Sequence, residues 1–273
     1  MLKKLLASLA LGLLLVNSAQ AAVFWDDEME PGNIGFNATA LASHIASGAY
    51  AYDTSVKFSG AASLRLNYPA QCQPAVFGGG GCGGSALRSF PATDNVWRRF
   101  YFRMSGTGPN PTPSGLFEAS MTSFTKMART VGEGLPRLWW AMGCCSTTGK
   151  TFVSSLENSP PIPLQSATNA YTNKALSDNQ WYCLETHEQL NTPGVADGVI
   201  EAWVDGVKVL TKTDYFTRAS GDSSKWTDFG VFRQTGRGNI WLDRYAAGDT
   251  RIGCLGSTPP PIDAQAPSIP AGL

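Results

Sequence analysis

The sequence predicts an all-β chain, folded as a two-sheet antiparallel β-sandwich of the jelly-roll kind. Three observations lead there. Short segments alternate apolar and polar side chains with the two-residue period of a pleated strand. The 29 glycines and 17 prolines are scattered between those segments as turn punctuation. No long run carries the 3.6-residue periodicity of an amphipathic helix, and no internal repeat is visible.

Residues 1–21 have the build of a secretory signal peptide. Lys3 and Lys4 form a positive start, Leu5 to Val16 an apolar stretch, and Ala19-Gln20-Ala21 a small-x-small cleavage site. A mature chain beginning at Ala22, secreted or periplasmic, is the expectation. The apolar stretch is too short to span a bilayer, and no later one approaches about 18 apolar residues, so no membrane span is predicted. Without Lys3 and Lys4 the basic residues fall two short of the 21 acidic ones. That balance excludes a nucleic-acid partner, which demands a basic excess. The domain division is 22–255 for a single sandwich and 256–273 for a Pro-rich linker with a short C-terminal stretch; about 230 residues suffice for one all-β domain.

Phe24 to Glu30 is a short strand stopped by Pro31-Gly32, and weak strand signals lie at Ala49–Tyr52 and Val56–Phe58. Ser63 to Tyr68 alternates cleanly, with Leu64 and Leu66 inward. Cys72 to Gly84 is too glycine-rich for regular structure and reads as a long surface loop. Val96 to Met104 is a strand, followed by turn-forming Gly106–Pro113; Leu116–Arg129 fits either a strand pair or a short helix. Leu138–Met142, Thr151–Leu156 and Trp181–Leu190 are strands. Val199–Val204 and Val207–Leu210 flank Asp205-Gly206, a strong two-residue hairpin signal. Phe229–Arg233 and Ile240–Tyr245 close the sandwich. Phe100, Phe102, Leu184, Ile200, Val204 and Leu242 are its expected core.

In an exported protein the six cysteines favour disulfides, although six allow 15 pairings. Cys72 and Cys82 bracket one loop and are the first expected pair. Cys183, on a strand, and Cys254, just past the last one, are the second. Cys144-Cys145 is then left as a vicinal pair or two free thiols.

The chemistry-bearing residues concentrate on two strands. Trp97, Arg99, Tyr101 and Arg103 share one face of the first; Glu185, His187 and Gln189 share one face of the second. A solvated strand face ordinarily carries Thr, Ser and Lys. Aromatic, guanidinium, carboxylate, imidazole and amide groups together grip sugars and move protons. His187 titrates near neutrality when unperturbed, so His187 and Tyr101 are the candidate proton-transfer residues. Arg99, Arg103, Glu185, Gln189 and Trp97 are the candidate substrate-binding residues. Lys126 and Arg129 add positive charge in the ambiguous segment.

Asn179-Gln180-Trp181-Tyr182-Cys183-Leu184-Glu185-Thr186-His187-Glu188-Gln189-Leu190-Asn191-Thr192-Pro193-Gly194, continued by Asp197-Gly198-Val199-Ile200-Glu201-Ala202-Trp203-Val204-Asp205-Gly206, resembles the concanavalin A-like lectin/glucanase superfamily. The likeness is closest to its polysaccharide-lyase-like jelly rolls, and Trp97–Arg103 and Ile240–Tyr245 match further strands of that pattern. It spans about Phe24 to Cys254. Asp263 to Leu273 resembles the start of a fibronectin type III module. Two departures stand out. The E-x-D-x-x-E strand of the glucanases is absent, with Glu185 and Glu188 on opposite faces, and the Gln-x-His pair of alginate-lyase-like members is replaced by His187-Glu188-Gln189.

The resemblance implies an extracellular polysaccharide as partner and three function classes. The first is a lyase acting on a uronate polymer by β-elimination. The second is a non-catalytic carbohydrate-binding domain. The third, a glycoside hydrolase, is weakened by the missing carboxylate pair. None requires a cofactor. A structural calcium is a further expectation, because jelly rolls of this superfamily pair their first and last strands and hold a cation there. Asp26, Glu28 and Asp243 are its candidate ligands.

Overall fold

The computed structural model describes residues 23–32, 35–68, 84–105, 124–146, 149–157, 169–171, 174, 176–233 and 238–256. In chain order the elements are β1 (Val23–Asp27), α1 (Ala38–Ala46), β2 (Tyr50–Asp53), β3 (Ser63–Tyr68), β4 (Gly84–Thr93), β5 (Asn95–Ser105), β6 (Phe124–Val131) and β7 (Arg137–Ser146). They continue with β8 (Gly149–Glu157), β9 (Asn169–Tyr171), β10 (Trp181–Gln189), β11 (Gly198–Val204), β12 (Val207–Tyr215), β13 (Trp226–Arg233) and β14 (Gly238–Gly248). The signal-peptide, 72–82 disulfide, Pro-rich-linker and fibronectin-like readings lie outside the described residues. No helix among the described residues is long and apolar enough to cross a membrane.

Two antiparallel sheets form the sandwich. The eight-stranded sheet runs β12-β11-β10-β5-β14-β3-β2, with β1 also on β14; the six-stranded sheet runs β4-β13-β6-β7-β8-β9. β14 serves two neighbours on one edge. Gly238 to Leu242 pair with β3, and Tyr245 to Gly248 with β1, on either side of a bulge where Arg244 takes φ 48°. The Asp205-Gly206 hairpin has positive φ at both residues, 51° and 80°, the geometry its sequence signalled.

Alternation sets the core as expected. Phe100, Phe102, Leu184, Ile200, Val204 and Leu242 are all at most 3% exposed. An aromatic stack ties the sheets together: Tyr245 of β14 lies 4.7 Å from Phe229 of β13, and Trp25 stacks on Tyr245 at 5.5 Å. The core also holds an ion pair. Arg98 and Glu188, inward on β5 and β10, contact each other with both side chains buried. Thr130 Oγ1 and Trp140 Nε1, from the opposite sheet, donate to Glu188 at 2.7 and 2.8 Å, and the Arg98 guanidinium lies 3.8 Å from the Phe229 ring centre. Desolvation pulls Arg98 down to about 9.

Three elements differ from the sequence reading. Ala38–Ala46 is a helix, N-capped by Asn37, whose Oδ1 accepts from Ala40 N. Gly84–Thr93 is a strand despite Pro91, because β4 is an edge of its sheet, where proline is tolerated. Val56–Phe58 forms a turn rather than a strand.

Cys183 and Cys254 are bonded, as expected, closing a sequence separation of 71. On the chain-entropy relation such a loop contributes about 4 kcal/mol. Cys183→Ser/Cys254→Ser is expected to lose stability of that order in urea titration; an unchanged midpoint contradicts it.

Candidate functional site

β5 and β10 are neighbours, with Arg103, Tyr101, Arg99 and Trp97 opposite Trp181, Cys183, Glu185 and His187. All seven sequence-derived candidates therefore share one outer sheet face, but the chain itself covers the middle of that face. Residues 251–255 lie across it. Glu185, fully buried, accepts from Arg251 Nε at 2.8 Å, Ile252 N at 2.9 Å and Gly253 N at 2.6 Å. The Tyr101 hydroxyl accepts from Leu255 N at 2.5 Å, and its ring stacks on Phe58 at 3.7 Å. Arg99, 2% exposed, donates to both Asp26 oxygens at 2.9 and 3.0 Å. These three are structural. Burial raises the Tyr101 hydroxyl above its ordinary value. Tyr101 and His187 are also four residues apart along the strands, about 13 Å. Gln189 is exposed at the strand end, and Arg103 is half-buried at the other end.

The expected calcium ligands do not converge on a point. Asp26 faces Arg99 and Arg244, Glu28 pairs with Arg244 and accepts from Ser59 Oγ, and Asp243 accepts from Phe58, Ser59 and Arg244 N. Guanidinium or amide groups contact each of the three carboxylates. No group of three metal-ligating side chains is found among the described residues.

His187 has a built environment of its own. Its ring stacks on Trp97 at 4.2 Å, Nδ1 lies 2.9 Å from Glu201 Oε2, and Nε2 lies 2.6 Å from Asn95 Oδ1. The hydrogen bond from His187, with Lys208 beyond it, pulls the Glu201 carboxyl down to about 2. An unfolded glutamate titrates near 4.3, so this stabilisation is complete above that pH and disappears as pH falls toward about 2. Glu201→Gln is expected to lower stability above that pH and to flatten that acid limb. Urea melts between those pH values read both, and an acid limb as steep as the parent's counts against it.

The other outer face, on the six-stranded sheet, carries a second set of polar residues. Ala128, Thr130, Leu138 and Trp140 are buried toward the core, so alternation places Arg129 on the outward face. From there the register defines two rows. Lys126 pairs with Ala141, Ala141 with Val153, and Val153 with Tyr171. Arg129 pairs with Trp139, Trp139 with Ser155, and Ser155 with Asn169. The backbone register thus brings the positions of Lys126, Arg129, Asn169 and Tyr171 into two adjacent rows. Arg129 is half-exposed, donates to Ser85 Oγ at 2.7 Å and rests over Phe232 at 4.8 Å. Opposite it stands Gly230, where an added Cβ would meet Ala86 O at 2.0 Å. Glycine there keeps the face beside Arg129 free of a side chain. Sequence reasoning noted Lys126 and Arg129 without placing them and missed Tyr171 and Asn169, whose three-residue strand has no periodicity to detect.

No family model and no curated protein matches the chain. Solved structures do. Alginate lyase Aly36B is similar at 14% identity over 84% of this chain and 98% of its own, with TM-score 0.53. The endo-β-1,4-glucuronan lyase from the fungus Trichoderma reesei is similar at 14% identity over 84% and 96%, TM-score 0.53. The marine PL-14 alginate lyase from Aplysia kurodai is similar at 12% identity over 83% and 99%, TM-score 0.51. The fold is shared with polysaccharide lyases. At this identity the lyase-like frame is what the likeness shows; the residues on it are this chain's own.

Proposed function

We propose that the protein is a polysaccharide lyase that cleaves a uronate-containing chain by β-elimination on the outer face of the six-stranded sheet. The observation that carries this reading is the register that puts Lys126 and Tyr171 in one row and Arg129 and Asn169 in the next. β-Elimination needs a donor set for the uronate carboxylate, a base for the adjacent C–H and an acid for the leaving oxygen. Arg129 and Asn169 take the first role. Their charge and hydrogen bonds stabilise the negative charge that builds on the carboxylate as C5 loses its proton. Lys126 and Tyr171 share the other two: one accepts the C5 proton, the C–H electrons form the C4–C5 double bond, the C4–O bond breaks, and the departing oxygen takes a proton from the other. The strands of Lys126 and Tyr171 are three spacings apart, about 14 Å.

Support comes also from the neighbours' substrates. One neighbouring structure, 13% identical with TM-score 0.53, is an alginate lyase variant with a lysine and a tyrosine replaced by alanine, in complex with an alginate tetrasaccharide. A hydrolase needs two carboxyl groups about 5–10 Å apart. The E-x-D-x-x-E strand that supplies such a pair in the glucanases is absent from this sequence.

The test is incubation of the mature protein with a panel of polyuronates and neutral polysaccharides, reading unsaturated-uronate absorbance and reducing ends together. The two rise in parallel on a polyuronate if the reading holds. Reducing ends without unsaturation mean hydrolysis; binding with neither means a carbohydrate-binding domain.

A further inference from the structure

A second array lies on the outer face of the eight-stranded sheet, beyond the part that residues 251–255 cover. Trp181 pairs with Arg103, Arg103 with Trp241, and Trp241 with Arg65, so indole and guanidinium alternate across β10, β5, β14 and β3. The parts are not equivalent. Trp241 is 6% exposed and serves as a base: the Arg103 guanidinium lies 5.6 Å from its ring centre. Its Nε1 donates to Asp53 Oδ2 at 2.8 Å, which fixes the indole. Trp181, Arg103 and Arg65 are half-exposed above it. Phe58, 38% exposed, meets Trp181 edge-on at 6.0 Å and extends the apolar end.

Neither arginine is saturated. Arg103 donates to Asn179 Oδ1 at 3.2 Å, Arg65 reaches Asp53 at 3.4 Å, and the Nε of each has no partner. The Nε of each is buried, so the terminal guanidinium nitrogens are the donors a ligand would meet. Two residues further along the strands runs a parallel row of half-exposed hydrogen-bonding side chains, Ser105, Asn239 and Asn67.

We infer that this row is a second, non-catalytic binding site for a linear polyuronate chain lying across the strands. The Trp181 indole takes the face of one sugar ring, while Arg103 and Arg65 hold carboxylates further along. Adjacent strands are about 4.8 Å apart, a step comparable with one pyranose unit, so Trp181 to Arg65 covers about three units. Ser105, Asn239 and Asn67 face the ring hydroxyls at the side. The uronate class rests on the lyase reading; the site rests on the row itself. Because it lies on the sheet opposite Lys126 and Tyr171, a polymer held here leaves the cleavage face free for another stretch of chain. Two such contacts on one polymer add through effective concentration, not through any new contact at the scissile bond.

The test is Trp181→Ala/Arg65→Gln in the full mature chain, with Arg103→Gln as an independent single variant and thermal melting as the check on folding. Affinity electrophoresis in gels carrying polymannuronate, polyguluronate, polyglucuronate or a neutral glucan reads binding. Turnover on short unsaturated-ended oligouronates and on long polymer reads the two sites apart. The parent is expected to be retarded by a polyuronate and not by the neutral glucan. The double variant should lose at least tenfold in affinity and in long-polymer efficiency, with short-oligomer turnover unchanged. If the double variant does not fold, Arg103→Gln carries the same test. Retardation equal to the parent's in a folded variant, or no retardation of the parent by any polyuronate, overturns the site. Cleavage with variant-independent retardation leaves the lyase reading standing without this site. Retardation that depends on Arg65 and Trp181 in a protein that cleaves nothing leaves the site standing without the lyase reading.

Discussion

Lys126→Ala and Tyr171→Phe are each expected to lower polyuronate cleavage by about 10²–10⁴-fold, the usual cost of removing a positioned acid or base. The loss should fall on kcat, with KM changed little, because both groups act on protons that move only in the transition state. Arg129→Ala should also weaken KM, since a guanidinium on the carboxylate acts in the ground state too. The two outer faces can be told apart in the same assay. His187 and Tyr101 lie on the opposite sheet, tied into Glu201, Asn95 and Leu255, so His187→Ala and Tyr101→Phe should act on stability rather than turnover. If those two variants abolish cleavage while Lys126→Ala does not, the catalytic face is the eight-stranded one.

Arg98→Met is expected to destabilise the fold by about 3–5 kcal/mol, the cost of leaving one member of a buried ion pair without its partner. Glu188 keeps its hydrogen bonds from Thr130 and Trp140, but its charge is then uncompensated between the sheets. The double variant Arg98→Met/Glu188→Leu should recover much of that loss, because an apolar replacement of both partners removes the desolvation penalty as well. Urea titration of the parent, Arg98→Met, Glu188→Leu and the double variant gives the cycle. A single variant as stable as the parent, or a double variant worse than the sum of its parts, contradicts a desolvated pair.

The strand faces were legible because alternation is local. Phe100, Phe102 and Met104 on one side of β5 and Trp97, Arg99, Tyr101 and Arg103 on the other follow from the pleat alone. What lies on top of a face is not local. Glu185 has the pattern of a solvated carboxylate, and only contacts 66 to 68 residues away bury it beneath Arg251 to Gly253. The candidate catalytic face was hidden for a different reason. A register shift between Lys126 and Ala128 breaks the alternation of β6, so the segment fitted a helix as well as a strand. β4 carries a proline, and β9 is three residues long. α1 buries only Leu41, too little for an apolar stripe, although Asn37 before a run of Ala, Thr and Leu is a cap signal that was available.

The bond between Cys183 and Cys254 also decides how the domain meets mechanical load. A pull on the chain beyond Gly256 reaches Cys254 first and passes through a covalent bond into β10, which is hydrogen-bonded on both sides, to β11 and β5. β14, whose last residues pair with β1, then no longer takes the pull directly from the chain that follows it. Without the bond the same pull would peel β14 from its neighbours one hydrogen bond at a time; with it, tension is shared across the middle of the sheet. Under reducing conditions the resistance should therefore fall from that of a whole sheet to that of a single fraying strand.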